Sequence, residues 1–367
     1  MSLFRRLRAA MNETADAHVL GVIRIAIGGM LLVQTLAAAN GLLEQGYFGD
    51  VFHMPFIPEA WVPSRSIYVA MLAARVLLAV LVVIGHWAPQ AALASALLGL
   101  YTLLCDRLGY HHNRYALFCF AFLLAFTPCD RTLCIPRSAE PRIGPRWAVR
   151  LAQIQVALIY LASAGSKLLD DDWRDGRVIL DRFARYGSEA VARGIPPRVV
   201  EAFSQPIVTS ALAKLAISTE LFLAVALFSR RLRVFALWWG LMFHLTIEIT
   251  SKVELFTWLT LTSYAFFVTP DTHARKFFFD PSRPRGQWIA RIVAGLDWFA
   301  RFEIRPWTPD HLRKGHTIVI MRRDGSRATG LRALTMIARC TPLLFPLWAP
   351  LALLASFTRG GEANARL

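Results

Sequence analysis

The chain has 367 residues, of which 55% are hydrophobic and 18% charged, and a formal net charge of +16; its mean hydropathy is +0.42. So little charge cannot cover the surface of water-soluble domains of this size. The basic residues lie mainly between apolar stretches, a pattern of membrane topology, which argues against nucleic-acid binding as the source of the excess.

Residues 1–18 read as a basic lead-in. Asn12, Glu13 and Asp16 precede the first full-length apolar run, so no cleaved signal is expected and the lead-in stays cytoplasmic. Residues 19–39 form the first predicted span. An outer segment with Tyr47, Phe48, His53 and Trp61 suits an interfacial layer. Spans over 66–84 and 89–105 follow, joined at Gly85, His86 and Trp87. A polar link, 106–114, leads to a span over 115–127 that is short unless the link itself begins the helix. Five arginines, Arg131, Arg137, Arg142, Arg146 and Arg150, mark the next loop. A fifth span covers 148–167, a polar segment with a helix near 178–186 follows, and a sixth span covers 207–228. The apolar residues of 234–268 are too many for one helix and divide near Ser251, Lys252 and Glu254 into a seventh and an eighth. Residues 271–330 are soluble in character and rich in arginine. The stretch 331–357, interrupted by Pro342, Pro346 and Pro350, is either a ninth span or a helix on the membrane surface.

The expected fold is therefore all-α. It is a polytopic bundle of about eight transmembrane helices over 19–270, with a small basic cytoplasmic region over 271–367. Putting the N-terminus inside brings all the arginine-rich loops inside, as expected of a multi-pass protein of a bacterial-type inner membrane.

Charges within spans require compensation. Arg24 either snorkels to headgroups or pairs with a neighbouring helix. Arg75 is deeper, and Glu220 is a candidate partner. His244 and Glu248 share a helical face at a spacing of four, so His244 is either a hydrogen-bonded structural residue or a proton handler. Lys167 ends its span before Asp170, Asp171, Asp172 and Trp173. It is either a snorkelling helix-end lysine or an amine desolvated enough to act as a base. Topology turns Lys167, His112, Asn113 and the 244–254 helix end toward one outer half. No metal site is expected, because Cys129 and Cys134 lack nearby His or Cys partners.

The run from Gln155 through Tyr160, Ala164, Gly165 and Lys167 to Asp172 and Trp173 resembles the signature of the HTTM (horizontally transferred transmembrane) superfamily. Supporting matches are the polar entry at 106–115, and Phe243 and His244 followed by Glu254. The resemblance covers about 15–270. That superfamily includes the membrane domain of vitamin K-dependent gamma-glutamyl carboxylase, which oxidises a reduced quinone with oxygen to make a strong base. What it implies here is a site with Lys167, His244 and Glu248 as catalytic candidates. His112, Asn113, Tyr160, Asp172, Trp173 and Glu254 are candidates for binding substrate or cofactor, and a reduced quinone is the implied cofactor. Three departures argue against carboxylation itself. Leu168 stands where the carboxylase has a second lysine, His112 precedes Asn113 in place of the reverse order, and the carboxylase's large lumenal domain has no counterpart. Residues 318–333 also resemble, more weakly, the later half of the DCC thiol oxidoreductase-like family, without its paired-cysteine motif; this reads as a degenerate remnant. Two functions are thus expected to compete: an enzyme acting on a membrane quinone or lipid, and a non-catalytic membrane partner or maturation factor.

Overall fold

A computed structural model of the chain describes residues 5, 8, 9, 11–40, 52, 54–250, 253, 255–268, 275–307 and 317–357. It divides into two compact units, Met1–Thr269 and Pro270–Leu367.

The first unit is helical apart from one small ladder. β1 (Thr14–Asp16) leads directly into α1 (Ala17–Asn40), which is followed by α2 (Arg65–Ile84), α3 (Ala88–Leu104) and α4 (His112–Leu124). The polar link does begin α4: His111 caps it, its Nδ1 accepting from the Asn113 amide at 3.3 Å. β2 (Ile143–Pro145) pairs antiparallel with β1, Ala15 opposite Gly144. Glu13 reinforces this junction by pairing with Arg146 at 2.9 Å and Arg150 at 2.8 Å. There follow α5 (Trp147–Leu169), the short α6 (Asp171–Asp175), α7 (Arg177–Ala192), the short α8 (Pro197–Phe203), α9 (Pro206–Ala226), α10 (Arg233–Thr250) and α11 (Phe256–Tyr264). Around Arg177, at the start of α7, Asp175 and Asp172 hold the guanidinium pKa above its ordinary value.

Among the described residues, four helices are long and apolar enough to cross a membrane: Ala17–Ala37, Arg65–Ile84, Trp147–Leu169 and Pro206–Ala226. Their outward faces carry Val33, Ile67, Leu77, Leu158, Leu161 and Val225, all exposed. That is a cost in water and the normal state in lipid. Inward faces hold small residues where helices approach closely. On α3, Ala88, Ala91, Ala92, Ser95, Ala96 and Gly99 fall on one buried face, the composition that lets apolar helices pack without large side chains between them. Phe118 of α4 lies directly against Gly99.

Gly85 ends α2 in the left-handed region, at φ 86°, its amide bonding Leu81 O at 2.9 Å. The turn it makes closes over Arg24. That arginine does not snorkel, and among the described residues no carboxylate forms an ion pair with it. It is fully buried, and Nη2 donates to Leu133 O at 2.6 Å. The Ile135 amide bonding Ile84 O at 2.9 Å holds the same junction together.

Arg75 is also paired differently from the expected Glu220 contact. Its guanidinium donates to Gln34 Oε1 at 2.6 Å and Thr102 Oγ1 at 3.0 Å and lies over the Phe118 ring at 5.2 Å. α2 packs against α1 and α3 and α5 against α9, so the two residues belong to different groups of neighbours.

The second unit departs from the all-α expectation. β3 (Arg275–Phe279), α12 (Pro284–Leu296) and β4 (Phe302–Pro306) form a strand–helix–strand unit with parallel strands, the geometry a helical crossover permits. β5 (Ile318–Met321) adds antiparallel to β3, and β6 (Arg327–Ala328) to β5, giving the order β4-β3-β5-β6. Strand alternation sends Phe277, Phe302 and Ile320 to one face with Val293 of α12, and Phe278 and Val319 to the other with Trp307. The 331–357 stretch is not one helix. α13 (Gly330–Cys340) contributes Ala333 and Ile337 to the sheet's core, a 3-10 segment covers Pro342–Leu347, and α14 (Trp348–Phe357) follows. α14 has ten residues, about 15 Å of rise, half the thickness of a hydrocarbon core.

Candidate functional site

The site is built on one face of α5. Gln153, Val156, Tyr160 and Ala164 are its buried positions, and Lys167 continues the same stripe one turn on. Gln153 anchors the stripe by donating to Phe266 O at 2.7 Å.

At its centre Tyr160 Oη lies 2.8 Å from His244 Nε2 and 2.5 Å from Tyr264 Oη. His244 has no solvent exposure and both tyrosines are buried. The Phe256 ring meets the imidazole edge-on at 4.9 Å, and Thr257 Oγ1 donates to His244 O at 3.3 Å. Tyr264 reaches Tyr160 because Gly240 leaves its hydroxyl room on α10. Each phenol has one proton and accepts through oxygen, and neutral imidazole donates from one nitrogen and accepts at the other. The row therefore has two arrangements: Tyr264 donating to Tyr160 and Tyr160 to His244, or the reverse. Protons can be passed along it without moving a heavy atom. Among the described residues His244 Nδ1 has no hydrogen-bond partner.

About two turns along α5 from Tyr160, Lys167 forms an ion pair with Glu220 of α9. Lys167 Nζ also donates to Ser163 Oγ at 2.8 Å, and Ser163 Oγ donates to Glu220 Oε1 at 3.0 Å. The pair is largely enclosed, with 15% of the lysine side chain and 5% of the glutamate exposed. Asp170 accepts from the amides of Asp172 at 2.9 Å and Trp173 at 3.4 Å. This cap starts α6 and brings the Trp173 ring to 4.8 Å from Lys167 Nζ, within cation–π range.

The structure thus joins Tyr160 to His244 and Trp173 to Lys167. Asp172 is exposed and paired with Arg177 at 3.2 Å. Glu248 is half-buried one turn beyond His244, and its backbone carbonyl accepts from Arg193 at 3.1 Å; no hydrogen bond or ion pair joins its carboxylate to His244 among the described residues. His112 is exposed and Asn113 buried, both in the first turn of α4. Glu254 lies outside the described residues. Sequence reasoning missed Ser163 and Tyr264, and it assigned Glu220 to the wrong cation. A lone carboxylate in an apolar span was a visible signal for Glu220; a tyrosine in a nine-residue helix gave none.

The family described as HTTM domain matches residues 12–272. No curated protein and no solved structure matches.

Proposed function

The chain belongs to the HTTM family, and from that premise we infer that it is an integral membrane enzyme acting on a quinone or a lipid. The observation that carries this reading is the buried Tyr264–Tyr160–His244 row beside the Lys167–Glu220 pair. Polar and ionisable groups inside a membrane bundle are costly and are retained where they act. A water-poor bundle interior suits reactive intermediates, and the row supplies a proton path within it. Lys167 would orient an acceptor oxygen of the ligand, and His244 would take or return a proton through Tyr160. Glutamate carboxylation is not the proposed reaction, since Leu168 stands at the position of the second lysine.

Eight spans formed by α1 to α5 and α9 to α11, with the N-terminus inside, accompany this reading. It is supported by the β1–β2 ladder, which holds the starts of α1 and α5 at one end of the bundle. The Phe56 amide bonding Leu104 O at 2.9 Å supports the opposite end for the close of α3. The arginine-rich loops then lie on the inner face of a bacterial-type inner membrane. Ser188 on α7 is exposed and should lie outside. Ser188→Cys, in a chain with its other cysteines replaced, should react with a membrane-impermeant maleimide added to intact cells. Labelling only after lysis would reverse the orientation.

The functional test is mass spectrometry of the detergent-purified protein for bound quinone and lipid. Wild type should carry a defined species, and Lys167→Met/Glu220→Gln, which removes both charges together, should lose it severalfold. Identical contents in the two proteins, with no quinone binding by titration, would remove the reading's support. One observation favours a non-catalytic partner or maturation role: Lys167 is already engaged by Glu220, Ser163 and Trp173. That role predicts a co-purifying protein whose recovery is unchanged by Tyr160→Phe.

A further inference from the structure

Arg75 lies midway along α2 and is 3% exposed. Its neighbours Gln34, Thr102 and Phe118 are all neutral. Two of the five N–H donors of its guanidinium are engaged by those contacts, and among the described residues no carboxylate pairs with it. A buried cation without a counter-charge costs several kcal/mol, and the contrast with Lys167, which has Glu220, is plain within the same bundle. Arg75 is not sealed in, however. It borders a cleft between α1, α2, α3 and α4 lined also by Gln34, Tyr68, Thr102, Asp106, Arg114 and Phe118. Two arginines against one aspartate leave this cleft net positive. Asp106 Oδ1 is itself engaged by the Leu108 amide at 2.9 Å. Hydroxyls from Tyr68 and Thr102 add neutral polar groups to the wall.

We propose that this cleft binds a phosphate-type oxyanion, with Arg75 as its principal cation and Arg114 as a second. A guanidinium matches a phosphate in charge and in its forked hydrogen bonding, and the bound anion supplies the counter-charge that no described residue does. The phosphate is carried either by a lipid headgroup or by a free anion. This site is separate in residues from the Lys167 site, and its test does not depend on the reaction proposed above.

The experiment is thermal unfolding of the full chain in a neutral detergent, followed by tryptophan fluorescence. One arm titrates sodium phosphate at constant ionic strength against sodium chloride; the other titrates dihexanoyl phosphatidic acid. At least one probe should raise the Tm of wild type saturably, and Arg75→Gln should weaken the apparent affinity roughly tenfold or more. Saturation by phosphate assigns a free anion, and saturation by the lipid alone assigns a headgroup. The proposal is overturned if neither probe raises the Tm of wild type above the chloride control, or if Arg75→Gln responds as wild type does. Should Arg75→Gln fail to fold, Arg114→Gln carries the same test: a weakened response supports the site and an unchanged one overturns it.

Discussion

Glu220→Ala is expected to destabilise the protein by about 3–5 kcal/mol, the usual consequence of removing one partner from a buried ion pair. The loss is larger than the pair's own worth, because Lys167 is left charged among Ser163, Trp173 and apolar helix faces with its counter-ion gone. Lys167→Met/Glu220→Leu should recover most of that loss and unfold within about 1–2 kcal/mol of wild type, since replacing both members of such a pair with apolar residues is often near neutral. Thermal unfolding of wild type, Lys167→Met, Glu220→Leu and the double variant in one detergent completes a double-mutant cycle, with Glu220→Ala measured beside it. If the double variant is as unstable as Glu220→Ala, the ion pair is not what joins α5 to α9 at this level. The same unfolding assay applied to Lys167→Met/Glu220→Gln calibrates the ligand test: if that variant is folded and still loses its bound species, it has lost recognition and not structure.

The second large effect concerns Gly85. A Cβ there would overlap the Arg24 guanidinium and lie 2.6 Å from Cys134 Cβ, on a backbone at φ 86°. The left-handed conformation alone costs an L-residue about 1–2 kcal/mol, and overpacking typically adds about 1–3 kcal/mol. Arg24 cannot give way easily, for it is buried and bonded to Leu133 O. Gly85→Ala should therefore cost about 2–5 kcal/mol in the same assay, or fail to yield monodisperse protein. Gly29→Ala is the control, since, its own helix backbone and chain neighbours aside, no atom of the described residues lies within 4 Å of its Cβ position; it should match wild type to within about 1 kcal/mol. Equal stability of the two variants would show that the Gly85 turn is not a tight junction.

Helix existence and order were legible because apolar run length is a one-dimensional property. The breaks at Gly85, at the 106–111 link and at 229–232 all fall where charge or turn residues interrupt the runs. The second unit's sheet was harder to read. Its strands are two to five residues long, and the arginines around Phe277 and Ile320 dominate the composition that a coarse reading averages over. The candidate site was partly legible. Lys167, Tyr160 and His244 stood out as polar groups in apolar runs, and Trp173 stood beside the lysine in sequence. Partner choice was not legible: Glu220 faces α5 and not α2 because of how the helices group, and no local pattern records that.

The Lys167–Glu220 contact also has a consequence for the order of events during synthesis. Its members are 53 residues apart in the chain, and the lysine is made first. Lys167 is the third-last residue of α5 (Trp147–Leu169), where a long flexible side chain can reach headgroups while it waits. Glu220 lies well inside α9 (Pro206–Ala226), with a short side chain and no such refuge. The member able to tolerate delay therefore enters the bilayer ahead of the one that cannot, so the carboxylate arrives to a cation already in position. Reversing the two residues would preserve the charges and lose that sequence of arrival.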